Sequence, residues 1–545
     1  MIAVVAVVWL CLAVVVVAGW SRLAADRGWR IAVLTLALTF SLVHQLLFAT
    51  IPDDAYITFR YARNIADGYG PVFNLGETVE GYPNFLWVVL LALPRAMFGV
   101  EVEPTAVVLG TLCALGCVLA AYVLANRIVR LVVPDGLPAL GVAAAVVTAG
   151  AGSLAAYGPS GLETPLYVLL VLTVVHALAG GHPMAAGVLV ALAVMTRPDG
   201  LGVAVLAGLW LLVAALRGHV RSAAPAAYAL AALVLLVPWT AWRVTYYEHA
   251  LPAAIVAKSG GPVTTRLAAG WSYLAGFALV SQALLLVAAI AVALLTYRRG
   301  SAGHARSLVW LLFLLAVGQA AVAVAAGGDT LPAWRLLAPV PPLLAVAAAA
   351  AAGILAARDP APRPRPAVAI VALAVCGLSL VISTAHPRML PGMHDHRAAT
   401  GRLGEIGAWL GEHLPPGTVV SAFRPGALAY AAGPGLIVVD VRGVTDNRIA
   451  REGSRRPLPG GVVVASDYDY VVNERAPAVA VDTVSGSEPR QTCGIGPAYA
   501  GVYQVATFRR TDGSGWTDLY LRGTLARGLV EQLDTDPRFD HVPCE

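Results

Sequence analysis

Long apolar runs separated by short polar stretches dominate the first 385 residues. The runs fall at 2–20, 31–50, 104–125, 137–157, 165–180, 183–197, 200–217, 223–241, 271–296, 307–327, 334–356 and 366–385. A helix crosses a bilayer with about 20 mostly apolar residues, fewer where flanking groups snorkel. This pattern predicts a polytopic α-helical membrane protein of about 12 spans. Residues 85–100 are also apolar, but Pro94 and Arg95 interrupt them. After residue 386 the runs shorten to strand length at Thr418–Ala422, Leu436–Val441, Gly461–Ala465, Tyr470–Asn473, Tyr503–Phe508 and Asp518–Leu521. Arg402–His413 carries Leu403, Ile406 and Leu410 at helical spacing, and Pro415-Pro416-Gly417 ends it. Strands alternating with a helix predict a small α/β domain. Two domains follow: a transmembrane domain over 1–385, with its first polar loop at 51–103, and an α/β domain over 386–545.

Composition supports the membrane reading. Hydrophobic residues make up 58% of the chain, charged residues 13%, and mean hydropathy is +0.73, against about 25% charged residues in an ordinary soluble domain. The net charge of +5 forms no basic stripe interleaved with aromatics, so a nucleic-acid partner is not expected. Its distribution orients the chain. If 85–100 lies along or re-enters one face without crossing, the arginines at 22, 27, 30, 127, 130, 217, 221, 298, 299, 306, 358, 363 and 365 all fall on the inner side. If that segment crosses, the basic loops after it move outside, so the non-crossing arrangement is expected. The run Ile2–Ala18 has its arginines after it rather than before, as a retained helix with an outer N-terminus has. Cys11, Cys113, Cys117 and Cys376 lie in apolar runs; Cys493 and Cys544 lie in the polar C-terminal part, where an extracytoplasmic location would permit a disulfide without requiring one. The Ala-rich tract at 345–357 suits tight helix packing.

That orientation gathers the unusual polar motifs on the outer side: DDAYITFRYA (Asp53–Ala62), SGLETP (Ser160–Pro165), TRPDG (Thr196–Gly200), RVTYYEHALPAAIVAK (Arg243–Lys258) and GGDTLPAWR (Gly327–Arg335). A transporter tends instead to place polar groups at the bilayer midplane. Chemistry at the outer membrane surface is therefore expected. Asp53 and Asp54 can cap a helix, or they can divide the work of deprotonating a hydroxyl and holding a divalent cation such as Mg, Mn or Ca. Arg60, Arg197, Arg243, Lys258 and Arg335 suit phosphate oxygens, although each also suits snorkelling or ion pairing at the interface. Glu80, Tyr82, Asn84, Trp87, Glu163, Asp199, Tyr247 and Asp329 offer carboxylates, amides and aromatic faces for sugar hydroxyls and rings, or serve as interfacial anchors, helix caps and ion pairs. His394 and His396 read as solvated, and no GxSxG, P-loop or GxGxxG stands where chemistry would require it.

Residues DDAYITFRYARNIADGYGPVFNLGETVEGYPNFLW, then SGLETP, TRPDG, RVTYYEHALPAAIVAK and GGDTLPAWR, resemble in order the AftB group of actinobacterial arabinofuranosyltransferases; VVDVRGVTDNRIA (Val438–Ala450) is also similar to segments of such proteins. Pro83 and Ala253 stand where family members often have Thr and Asn. The resemblance implies a GT-C glycosyltransferase fold and a decaprenyl-phosphoryl-arabinofuranose donor. It also implies a cell-wall arabinan acceptor (arabinogalactan or lipoarabinomannan) and a site on the extracytoplasmic face. Asp53 or Asp54 would be the base of an inverting single displacement, with the cations above stabilising the leaving phosphate. The alternatives are transfer of mannose or another sugar from a polyprenyl phosphate, a non-catalytic envelope-assembly protein on the same scaffold, and, third, a transporter.

Overall fold

The computed structural model describes residues 2–281, 303–357, 377, 380–458, 462–485, 495–513, 515–523 and 525–542. Part of the run at 271–296, most of that at 366–385, the start of the strand expected at Gly461, five of the basic residues (298, 299, 358, 363, 365) and Cys376, Cys493 and Cys544 lie outside them. The chain divides into two compact units. The first comprises Met1–Thr50, Ala106–Trp242 and Thr264–Met393; the second comprises Ile51–Thr105, Arg243–Val263 and His394–Glu545.

The first unit is helical. Among the described residues, five helices are long and apolar enough to cross a membrane: Arg27–Leu47, Val102–Arg130, Ala224–Tyr247, Gly303–Ala326 and Arg335–Ala356. A sixth candidate is the pair Pro138–Ala149 and Gly152–Ser160, bent by 60° at its break. Shorter apolar helices at Ile2–Ala18, Thr164–Ala179, Pro183–Thr196 and Gly200–Leu216 complete the set, and each coincides with an apolar run. Proline opens the helices at Pro138, Pro165 and Pro183, where its missing N–H costs nothing. Small residues bring the backbones together: a Cβ on Gly110 would lie 2.4 Å from the Gly158 carbonyl oxygen. Ala345, Ala347, Ala350 and Ala351 are buried, as the Ala-rich tract leads one to expect. Leu36, Leu46, Val108, Leu112, Leu209, Leu230 and Val234 are exposed, a surface that water penalises and lipid does not.

The second unit is α/β. Strands β1 (Val419–Ala422), β2 (Ile437–Asp440), β5 (Val479–Ser485), β6 (Gln504–Arg510), β7 (Trp516–Leu521) and β8 (Phe539–Val542) form one sheet in the order β2-β1-β5-β7-β6-β8. β1 pairs parallel with β2 and β5, and the remaining pairs are antiparallel. The parallel β1–β2 step needs a crossover, supplied by helix Pro425–Ala432. β3 (Ser454–Pro457) and β4 (Val463–Ser466) make a separate antiparallel pair. Helix Asp53–Ala66 packs on the crossover helix and on Phe85–Phe98. Phe85–Phe98 has 14 residues, about 21 Å of helix against a hydrocarbon core of about 30 Å, and Gly99 in the left-handed region (φ 68°) ends it.

One expected strand is corrected. Tyr470–Asn473 is not extended but lies in a wide helical turn, Tyr470–Arg475. The Asp467 carboxylate accepts the Tyr470 N–H at 3.0 Å and starts the turn, and Ala476 in the left-handed region (φ 47°) ends it. The helix expected at Arg402–His413 begins earlier, at Leu390.

Candidate active site

Pro52, extended at φ −74° and ψ 157°, delivers the chain into helix Asp53–Ala66, so both aspartates occupy its first turn. Their surroundings differ. The Asp53 carboxylate is 3% exposed and accepts the N–H groups of Gly426 at 3.1 Å and Ala427 at 2.8 Å. It caps the crossover helix Pro425–Ala432 from a distant part of the sequence. A Cβ on Gly426 would lie 2.0 Å from the Asp53 carbonyl oxygen, so only glycine permits this approach. Burial raises the Asp53 pKa, while the Ala427 amide and Arg442 act against it. Asp54 is less enclosed. Its Oδ2 accepts from Lys258 Nζ at 3.1 Å, and its Oδ1 lies 3.9 Å from Arg442 Nη2.

Arg60 faces protein. Its Nε donates to the Phe73 carbonyl at 2.6 Å, its Nη2 to the Leu436 carbonyl at 2.9 Å and Asn74 Oδ1 at 3.3 Å, and its Nη1 to the Ala429 carbonyl. Those bonds tie helix Asp53–Ala66 to the crossover helix and to Leu436, the residue before β2. Asn84 exchanges hydrogen bonds with Thr58 (3.0 Å from Asn84 Nδ2), and Trp87 is fully buried. Glu80 pairs with Arg243 at 2.8 Å, and Arg243 also donates to the Ala250 carbonyl at 2.6 Å. Burial pushes Glu80 up to about 7 against the pull of Arg243. The Tyr82 and Tyr247 hydroxyls lie 2.9 Å apart, and Tyr247 donates to the Pro71 carbonyl.

Two residues with no role assigned from the sequence complete this cluster. Asp440, at the end of β2, is fully buried and accepts the main-chain N–H groups of Arg442, Val444 and Thr445 at 2.9, 2.9 and 3.3 Å. Gly443 turns there with φ 70°. The turn thus formed holds Arg442 toward Asp54. Burial pushes Asp440 up to about 6. The sequence signal was VVDVRGVTDNRIA, a strand ending in Asp-x-Arg-Gly, quoted for its resemblance alone.

The first unit carries its own polar cluster. Arg197 makes a two-pronged pair with Asp199 at 2.9 Å on each arm, and Gln319 donates to Asp199 at 2.6 Å. The Arg197 guanidinium lies over the Tyr167 ring at 4.9 Å. Asp329 accepts from Arg335 at 2.7 Å and from the Leu331 N–H at 3.2 Å. Glu163 is buried and acts electrostatically on Arg197. Ala333 and Trp334, both at positive φ (55° and 47°), bend the GGDTLPAWR segment, and non-glycine residues in that conformation store about 1–3 kcal/mol each. Structure thus brings Asp53, Asp54, Lys258, Glu80, Tyr82, Arg243 and Tyr247 into one unit, and Glu163, Arg197, Asp199, Asp329 and Arg335 into the other.

The donor set around Asp54 does not suit a divalent cation. Hard cations require several oxygen ligands; Asp54 instead faces an ammonium and a guanidinium, and the Asp53 oxygens hold two amides. Among the described residues no group of three His, Cys, Asp or Glu side chains is placed to hold a metal ion.

A family model described as a domain of unknown function, DUF8728, matches residues 392–521. No curated protein matches the sequence. Among solved structures the chain is similar to ArnT from Cupriavidus metallidurans bound to undecaprenyl phosphate, with TM-score 0.52 and 14% identity over 92% of this chain and 99% of that one. It is also similar to the archaeal oligosaccharyltransferase AglB from Archaeoglobus fulgidus in complex with an inhibitory peptide and a dolichol-phosphate, with TM-score 0.52 and 12% identity over 91% of this chain and 74% of that one. The apo form of the Archaeoglobus fulgidus oligosaccharyltransferase gives TM-score 0.54 and 11% identity over 92% and 75%. At these identities the likeness shows the fold alone: this chain shares the GT-C fold of these structures.

Proposed function

We propose that this protein is a membrane glycosyltransferase that takes its sugar from a polyprenyl phosphate. The observation that carries this reading is Asp54, a partly exposed carboxylate between Lys258 and Arg442 on a fold shared with proteins solved with undecaprenyl phosphate and dolichol-phosphate. Asp54 is the base: it accepts the proton of an acceptor hydroxyl as that oxygen attacks the anomeric carbon. The bond from that carbon to the phosphate oxygen breaks, the electron pair leaves with the lipid phosphate, and nearby cations stabilise its charge. Asp53 positions the helix that presents Asp54. A single carboxylate acting as base suits a single displacement, which inverts the anomeric centre. No step is assigned to a metal ion.

The sequence motifs support a finer reading: an arabinofuranosyl donor on decaprenyl phosphate, a cell-wall arabinan acceptor and a site on the extracytoplasmic face. Purified protein in detergent, given synthetic polyprenyl-phosphoryl-arabinofuranose and a short arabinan, tests it. Transfer with inversion, unchanged by chelator, is the expected result. Transfer only from the mannosyl donor overturns the sugar, retention overturns the single displacement, and chelator-sensitive transfer overturns the metal-free site.

A further inference from the structure

Arg442 is 6% exposed, and its Nε and Nη2 have no hydrogen-bond partner. The two nearest carboxylate oxygens, Asp54 Oδ1 and Asp440 Oδ1, each lie 3.9 Å away, beyond hydrogen-bond reach. Asp440 cannot come closer without loosening the three main-chain N–H groups that it holds. On the other flank, the guanidinium meets the Phe423 ring at 5.3 Å. A buried, charged donor left without an acceptor is costly, yet this turn is built to hold one in place. Lys258 reaches the other oxygen of Asp54. The two cations therefore flank a single carboxylate, and one of them has donors to spare. A guanidinium fork matches a tetrahedral oxyanion, which offers several oxygens where a carboxylate offers two.

We propose that Arg442, with Lys258, receives the phosphate of the lipid-linked donor, and that Asp54 stands in the place of that phosphate until it arrives. This deepens the glycosyltransferase reading and rests on it. A carboxylate held between two cations is a weak base, because opposite charges favour its ionised form. When the phosphate takes over the N–H groups of Arg442 and the ammonium of Lys258, Asp54 is released from both and becomes competent to take the acceptor proton. Donor binding then precedes base activation, so the carboxylate is not unmasked while the sugar is absent. The C-terminal domain contributes directly to the donor site through one turn, residues 440–445.

The test is equilibrium binding of a polyprenyl phosphate to the full-length protein in lipid nanodiscs, compared with the uncharged polyprenol of equal length and with inorganic phosphate as competitor. Wild type is expected to prefer the phosphate. Arg442→Gln is expected to weaken phosphate binding at least tenfold and leave polyprenol binding unchanged, which also reports that the variant is folded. Should Arg442→Gln fail to fold, Arg442→Lys, which keeps the charge and loses the fork, is expected to weaken phosphate binding three- to tenfold. Wild-type phosphate affinity in whichever variant is read overturns the proposal. Inorganic phosphate competing as well as the lipid overturns the lipid as the source of the anion. A wild-type protein that does not distinguish phosphate from polyprenol overturns the glycosyltransferase reading itself, a result that no Arg442 variant can produce.

Discussion

Asp53 and Asp54 are neighbours in sequence and have different work. Replacing Asp53 by Ala leaves the Gly426 and Ala427 N–H groups buried without an acceptor, which costs about 2 kcal/mol or more. Asp53→Ala is expected to lower the thermal midpoint in detergent and to reduce turnover per folded molecule far less than Asp54→Asn does. A variant with unchanged midpoint and abolished turnover would reassign the base. Glu80 supplies a pH dependence. Burial holds its folded pKa near 7, above the ordinary value of about 4.3, so the folded chain binds that proton more tightly than the unfolded one. Its contribution is full below the ordinary carboxylate range and is lost as pH rises through about 7. Relative to Glu80→Gln, wild type should lose thermal stability between pH 5 and pH 8; a wild-type midpoint that gains on the variant over that range contradicts the assignment. The adjacent pair was legible in the sequence, but its division of labour was not, because the amides that occupy Asp53 come from residues 373 and 374 positions later in the chain. The surroundings of Arg60 were hidden for the same reason, since its acceptors at Ala429 and Leu436 are equally remote.

At the scale of elements, the contact between helix Asp53–Ala66 and helix Pro425–Ala432 is the joint that presents Asp54. Gly426→Ala forces a methyl against the Asp53 carbonyl. Backbone cannot yield as a side chain does, and overpacking of this kind costs about 1–3 kcal/mol. The expected outcome is a lowered midpoint, with turnover reduced even in the folded fraction because Asp54 moves with its helix. Wild-type turnover and stability together would show that the joint tolerates displacement. Apolar runs predicted the helices of the first unit well, because length and composition suffice where one environment surrounds a whole element. Tyr470–Arg475 shows the limit: Tyr470, Val471 and Val472 have strand-forming side chains, yet the Asp467 carboxylate and the left-handed Ala476 close the backbone into a turn.

At the scale of the whole molecule, the second unit is assembled from three separated segments, 51–105, 243–263 and 394–545. A unit on one side of a membrane requires an even number of crossings between its successive segments. The apolar runs satisfy this, with six between the first and second segments and four between the second and third. Cysteines introduced singly at Thr78 and Thr535, with native cysteines replaced, should react with an impermeant maleimide in intact cells, whereas one at Ser222 should not. Labelling of Thr78 and Thr535 on opposite sides would break the unit apart. Basic loops orient spans, so the charge pattern gives the expectation that this labelling tests. Arg442 was not legible in the sequence, because its importance comes from unmet hydrogen bonds that only the folded turn creates.

The most direct test of glycosyl transfer through Asp54 is a coupled measurement on the purified protein, counting polyprenyl phosphate released and sugar transferred to acceptor, for wild type and for Asp54→Asn. The expected result is one lipid phosphate per sugar in wild type. In Asp54→Asn, turnover should fall by about 10²–10⁴ with the thermal midpoint unchanged. Equal turnover in both proteins, or no release of lipid phosphate from any polyprenyl-phosphoryl sugar, would contradict it.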